Sequence, residues 1–437
     1  MTEGEAALRS WVLGEGGAFH TGCTIGAADG GERGLFATSH LEEGALLLSV
    51  PARLLLTAGA ARSRGLPASL PEEDLIALLL LAEMARGDAS PRAAWIASLP
   101  ARYDVPLLWP PAHDEALLRC PVLVSRAAAQ REAVAARFAR VHTALSATDA
   151  RPPHPLATGL SLRLFCHAVA ALESRGVHLA DPYLGAEGWA MVPVGDMLNH
   201  APEPHANVAA AYDSAAAAYR FVASRDIHPG EELTLCYGPH DDATLLLSYG
   251  FVLGPLRNPH ARAQLPESAL APDPRDADWL ADNGMLEDEY GGGSFALSVD
   301  GPGWNLLAAM RLGAATEEER EGGAAFAILE GEPVGIDAEA RAWRAVHGLA
   351  QQRLDTWQPG DGVRRSDLAV NLTGGAAAAG VADEWEEEAA GAAARRLAAE
   401  WAEAQVAVLR AAVEATGARL REAEAEVEAA SGKRRRR

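Results

Sequence analysis

The sequence is poor in the residues that cross-link or metallate a small fold. Its 437 residues include four cysteines, Cys23, Cys120, Cys166 and Cys236, and no two of them form a C-x-x-C pair. That argues against a disulfide framework and against a cysteine-built zinc site, and makes a reducing compartment the natural setting. Long apolar runs are lacking too. The longest strongly apolar stretch, Leu75 to Met84, falls far short of the ~20 residues that a membrane span needs. Basic charge is scarce: 38 Lys and Arg face 60 Asp and Glu, a formal charge of -22. A nucleic-acid-binding face is therefore not expected, because phosphate contacts need a basic surface, whereas a basic protein partner would be well tolerated. The stretch Met1 to Leu13 has early acids and no basic segment leading into an apolar one, so neither a secretory signal nor an Arg-rich transit peptide is expected there. The one basic cluster, Gly432 to Arg437, reads as a solvated end, with a localisation signal or phosphate-binding patch as the alternatives.

What the chain has is apolar material, 49% of its residues, over a length that suits two cores rather than one. From Gly34, GLFATSHLEEGALLLSVP reads as two short strands about a Gly-containing turn. The design returns 186 residues later in FVASRDIHPGEELTLCYG, where Val222 aligns with Phe36, Ile227 with Leu41, Gly230 with Gly44 and Leu233 with Leu47. Two hairpins of one design predict a β-rich module whose first and last parts meet in space, with the stretch between them as an insertion. That insertion carries helical patterns. Ser69 and Glu72 stand at capping-box spacing before an apolar run that Gly87 stops, and further patterns span 125–147 and 161–174. Beyond Val252 strand signals fade. Thr373 to Gly391 reads as a mobile Gly/Ala-rich connection, followed by a long amphipathic helix or helix pair with Leu397, Trp401, Ala404, Val408 and Ala415 on one face.

Unusual residues crowd between Val192 and Val252, in VPVGDMLNH, GEELTLCYG and LLLSYGFV. Singly, each has a plain explanation: Asn199-His200 can cap a strand and start a turn, Tyr237-Gly238 can end a hairpin, and Tyr249 can be a half-buried aromatic. Packing alone is a poor account of all of them in this order and spacing.

Together with GERGLFATSHLEEG, these segments resemble the SET-domain methyltransferases. More narrowly, they resemble the branch typified by the Rubisco large-subunit lysine methyltransferase and the actin-histidine methyltransferase. The resemblance is strong over 31–50 and 174–252, and beyond Val252 it rests on alternating helices. It implies an α+β fold: a β-rich SET domain with a pseudoknot over 8–252, a helical insertion over about 65–175, and an all-α substrate-binding domain over 253–437 ending in the basic tail. It also implies S-adenosyl-L-methionine as cofactor. Asn199 and His200 would bind it at the pseudoknot, and the loop Glu32, Arg33, Gly34 and Leu35 would offer backbone amides to its carboxylate. Many relatives carry a glycine where this chain has Glu32. Ser174-Arg175 match the family's Ser-Arg, making Arg175 a candidate contact to cofactor or substrate. His167 stands where relatives often have Trp, and Asp242 where Asn is usual. Tyr237 would touch the cofactor, accept a C–H···O contact from the sulfonium methyl and orient the incoming amine, while Tyr249 would wall the channel.

The function implied is S-adenosylmethionine-dependent transfer of methyl groups to a lysine of a protein substrate, by a monomer with no nucleic-acid or membrane partner. The cytoplasm is the expected location, with chloroplast and nucleus as alternatives. Histidine as acceptor and a non-catalytic binding module are the rival readings. A metal hydrolase built from His178, His200, His205 and His240 finds no ligand spacing to support it.

Overall fold

The two similar segments pair with each other and not with themselves. In this computed structural model, residues 2–27, 33–109, 121–146, 156, 159–181, 186–265, 274–286, 295–357 and 381–434 are described. They fall into two units, one of Met1–Leu108, Ala127–Pro239 and Leu247–Gly250, the other of Trp109–Arg126, His240–Leu246 and Phe251–Arg437. Strands of the first unit are β1 (Ala18–Phe19), β2 (Cys23–Ala27), β3 (Arg33–Ala37), β4 (Leu46–Pro51), β5 (Leu56–Thr57), β6 (Gly176–Asp181), β7 (Ala186–Met191), β8 (Asn199–His200), β9 (Val208–Asp213), β10 (Ala218–Ala223) and β11 (Glu232–Leu235). They form sheets of order β1-β4-β10-β9, β2-β3-β11-β8 and β5-β7-β6.

The expected hairpins are therefore corrected: β3 and β4 lie in different sheets, each beside a strand of the second segment. Phe36 stands opposite Glu232, and its counterpart Val222 stands opposite Leu46. The connections join in the same reciprocal way. Leu41 and Ile227 exchange two backbone hydrogen bonds of 2.9 Å, while the amide of Gly44 donates to Ala223 at 2.8 Å and that of Gly230 to Ala37 at 2.7 Å. This is a local two-fold axis. Its physical cause is burial: Leu41 and Ile227 sit mid-connection, are 1% and 0% exposed, and draw both connections into one core. Gly44 and Gly230 have φ of 81° and 90°, the left-handed turn that glycine adopts without strain.

Helices of the first unit include α1 (Glu3–Gly14), α2 (Ala58–Ser63), α3 (Glu72–Arg86), α4 (Ala93–Ile96), most of α5 (Pro121–Ser146) and α6 (Leu162–Arg175). Every residue from Leu75 to Leu81 in α3 is buried, as befits a helix that is apolar all round. The expected Ser69–Glu72 capping box is not formed. Pro71, with φ of -53°, takes the cap position without a side-chain hydrogen bond, and Glu72, Glu73 and Asp74 place negative charge in the first turn, where the helix dipole favours it. Ser161 does cap α6, accepting from the amide of Leu164 at 3.3 Å.

The second unit contains α7 (Asp242–Thr244), α8 (Pro274–Asp282), α9 (Trp304–Ala314), α10 (Glu317–Glu321), α11 (Ala324–Leu329), α12 (Ile336–Trp357) and α13 (Val381–Arg434). It also carries a small sheet, β12 (Ala263–Gln264), β13 (Ala296–Ser298) and β14 (Gly301–Pro302), too short to leave a sequence signal. Its core joins Leu306, Leu312, Ile328, Val346, Val408 and Leu409. On α13, Leu397, Trp401, Ala404 and Val408 are buried as their spacing predicted, while Ala415 is half-buried. The expected connection over 373–391 is corrected in its second half, since α13 begins at Val381; residues 373–380 lie outside the described ones.

Candidate active site

The stretch VPVGDMLNH turns sharply before its Asn-His pair. Val194 has φ of 69°, an uncommon conformation for a β-branched residue, held by complete burial of its side chain. A single 3-10 turn over Gly195–Met197 follows, and then β8 runs parallel to β11, with Asn199 opposite Thr234 and His200 opposite Leu235. This pairing brings five of the expected residues together. The Asn199 amide donates to the Arg33 carbonyl at 3.3 Å and to Glu232 Oε1 at 2.7 Å, which uses its two N–H groups and leaves Oδ1 as an acceptor. The backbone N–H of Tyr237 donates to His200 Nδ1 at 3.1 Å, so the imidazole is assigned its proton on Nε2. The Tyr237 hydroxyl donates to the Leu198 carbonyl at 2.6 Å, and its ring stacks on Tyr249 with centroids 5.1 Å apart and planes 28° from parallel.

Gly34 shows why a glycine is needed in β3. A Cβ there would collide with the Glu232 carboxylate and lie 3.0 Å from Asn199 Nδ2. Leu35, beside it, is buried in the first core. The Arg33 side chain turns away to the Ser98 carbonyl. Glu32 lies outside the described residues.

Arg175 ends α6 and donates from one terminal nitrogen to the Asp196 carbonyl at 2.8 Å and to its carboxylate at 3.2 Å. Trp95 Nε1 donates to the other carboxylate oxygen at 3.2 Å. Burial raises the Asp196 carboxyl, opposed by Arg175. The Tyr103 ring lies 6.0 Å from the Arg175 guanidinium carbon. Burial dominates the tyrosines too: Tyr103 and Tyr249 are each pushed up to about 12, and Tyr237 is raised further. All three are neutral phenols at physiological pH.

Sequence reasoning left Asp196, Glu232, Trp95 and Tyr103 unassigned. Asp196 did carry a signal, a carboxylate interrupting an apolar run three residues before Asn199. Trp95 and Tyr103 carried none, being brought in by the insertion from about a hundred residues away along the chain. Of the departures from the family pattern, His167 packs edge-on against Tyr103 at 5.1 Å, and Asp242 is buried and hydrogen-bonded by Asn258 at 2.9 Å within the second unit.

Sheets in this order, with a short parallel strand carrying Asn-His beside a stacked tyrosine pair, define a SET domain. The SET domain family model matches residues 32–238 of this chain. Among relatives, "SET domain-containing protein 4" of Mus musculus is 31% identical over 294 residues, 64% of this chain and 66% of that protein. "Actin-histidine N-methyltransferase" of Gallus gallus is 26% identical over 378 residues, 80% of this chain and 61% of that protein. The match thus spans about two thirds or less of these relatives' own lengths. Among solved structures, Rubisco LSMT bound to AdoMet superposes with a TM-score of 0.62 at 19% identity, covering 97% of this chain and 93% of that one. The SET domain of LSMT bound to lysine and AdoHcy gives 0.63 at 19%, covering 96% and 92%. At this identity the likeness shows a shared fold.

Proposed function

We propose that this chain is an S-adenosylmethionine-dependent protein-lysine N-methyltransferase, with Tyr237 and Tyr249 at the site of transfer. Glu32, Arg33, Gly34, Leu35, Arg175, Asn199, His200 and Tyr237 are the proposed cofactor contacts, and residues 253–437 the region that presents the protein substrate. The site fits a ligand of this kind. Asn199 Oδ1 offers an acceptor to an ammonium, Arg175 Nε is a buried donor without a partner, and Gly34 allows close approach of the chain. When bound, the cofactor supplies an electrophilic methyl on a sulfonium.

The observation that carries the reading is the commitment of Tyr237. Its hydroxyl hydrogen goes to Leu198, and burial keeps the phenol protonated, so it cannot serve as a general base. Toward a second group its oxygen acts as an acceptor, suited to a weak C–H···O contact with a polarised methyl. Tyr249, neutral and stacked on it, adds an aromatic face that favours a cation. Neither phenol takes the proton of the incoming ammonium. Desolvation in the channel lowers that pKa, and water carries the proton away. In-line positioning then accounts for the rate.

Incubation of cell extract with labelled S-adenosylmethionine and the protein, followed by mass-spectrometric mapping, tests this reading. The chain has a single lysine, Lys433, so label on the enzyme itself is easily told from label on a target. Tyr237→Phe should keep cofactor affinity and lose ~10²-fold or more in turnover, since the interaction acts mainly in the transition state. Equal single-turnover rates in variant and parent would remove Tyr237 from the chemistry. Transfer to a histidine is the second reading, favoured by similarity to actin-histidine N-methyltransferases over as much as 80% of this chain. Mapping the modified side chain decides between the two.

A further inference from the structure

Two buried donors in the site have no acceptor. The Tyr103 hydroxyl lies within reach of the Arg175 guanidinium, yet neither it, on a residue only 7% exposed, nor the buried Arg175 Nε makes a hydrogen bond of good geometry. The two groups are neighbours, with the guanidinium carbon 6.0 Å from the phenol ring centroid. Arg175 is held in place by Asp196, which in turn is held by Trp95, so Nε cannot swing to solvent without breaking those bonds. His167, whose Nε2 donates to the Ala101 carbonyl at 3.3 Å, packs edge-on against the Tyr103 ring and fixes its plane. Leaving a buried polar group unpaired costs free energy that a matching ligand recovers on binding.

The phenol oxygen can accept from the guanidinium, but its own hydrogen then still lacks an acceptor and Nε can only donate, so the missing partner is an acceptor, and beside a fixed guanidinium the best acceptor is an anion. S-adenosylmethionine carries one anionic group, its carboxylate. We propose that Tyr103, supplied by the insertion, is a cofactor-binding residue that donates its hydroxyl hydrogen to this carboxylate alongside Arg175 Nε. The assignment rests on the methyltransferase reading and extends it to a residue outside the segments that suggested it. It gives the insertion a part in cofactor selection. The phenol suits the task because burial keeps its proton on: Tyr103 is pushed up to about 12, with burial as the main cause.

Calorimetry on the full chain tests this with two probes, S-adenosylmethionine and its decarboxylated analogue, which keeps the sulfonium, the adenosine and the amine. Tyr103→Phe keeps the ring and its packing, and an unchanged melting temperature verifies that it folds. The expected result is a roughly tenfold loss of affinity for S-adenosylmethionine, typical of one hydrogen bond to a charged group, with affinity for the analogue unchanged. Equal weakening for both probes would mean that Tyr103 acts only through packing or a direct bond to Arg175, and would overturn the assignment. No change for either probe would overturn it as well. A parent protein that binds neither probe would remove the methyltransferase reading, and this assignment with it.

Discussion

Asn199 is where the fold and the proposed chemistry meet in one side chain. Its two N–H groups tie β8 to the Arg33 carbonyl and to Glu232, so only Oδ1 remains for a ligand. Removing the amide leaves Glu232 without a donor and removes that acceptor. Asn199→Ala should therefore weaken S-adenosylmethionine binding roughly ten- to a hundredfold, the equivalent of a buried hydrogen bond of ~1–3 kcal/mol. Calorimetry on a variant shown to be folded measures it, and unchanged affinity would take Asn199 out of the site. The neighbouring His200 works through the backbone, since its Nδ1 fixes the amide of Tyr237 and thereby the phenol that follows.

At the level of elements, the segment leading to Tyr249 carries an ionisation cost. Asp241 caps α7, accepting from the Thr244 amide at 2.7 Å, while the next residue, Asp242, is fully buried with one carboxylate oxygen unpartnered. Burial pushes Asp242 up to about 6, with Asp241 adding to the rise and the Asn258 bond opposing it. A carboxyl whose folded pKa lies above its unfolded value binds its proton more tightly when folded, so stability falls as pH rises through the window from about 4 to about 6. Above that window the whole penalty applies. Asp242→Asn should stabilise the protein by about 1–3 kcal/mol at pH 8 and by little at pH 4. Thermal melts at the two pH values test it, and equal shifts at both would refute the assigned cause. The same scale shows what the sequence could disclose. The spacing of Leu41, Gly44, Ile227 and Gly230 revealed that the two segments belong together, because burial and glycine turns leave a local imprint. It did not reveal that they exchange strands, because eight residues separate β3 from β4 and pairing partners leave no local imprint. Val192 to His200 was legible as a site for the same reason that Trp95 and Tyr103 were not: its polar residues interrupt an apolar run, whereas theirs do not.

At the scale of the whole molecule, the second unit begins well before residue 253. It takes in 109–126 and 240–246, and Leu245 and Leu246 within it are wholly buried. A chain cut after about residue 255 would keep those segments while losing the core of Leu306, Val346 and Val408. The expected outcome is an exposed apolar surface on what remains of the second unit, and low solubility. Soluble yield of the truncated chain measures this; a soluble fragment with parental S-adenosylmethionine affinity would show that the C-terminal part serves only to present the substrate. Among the described residues no helix is long and apolar enough to cross a membrane.

The exchange of strands between the two segments also sets a timetable for synthesis. β3 and β4 leave the ribosome almost two hundred residues before β11 and β10, the strands that complete their sheets. At roughly 5–20 residues per second, that is a wait of about 10–40 s with open strand edges. During the wait the nascent chain can recruit a wrong partner as readily as the right one. Yield in a foreign host should then follow chaperone supply and translation speed more closely than the stability of the finished protein.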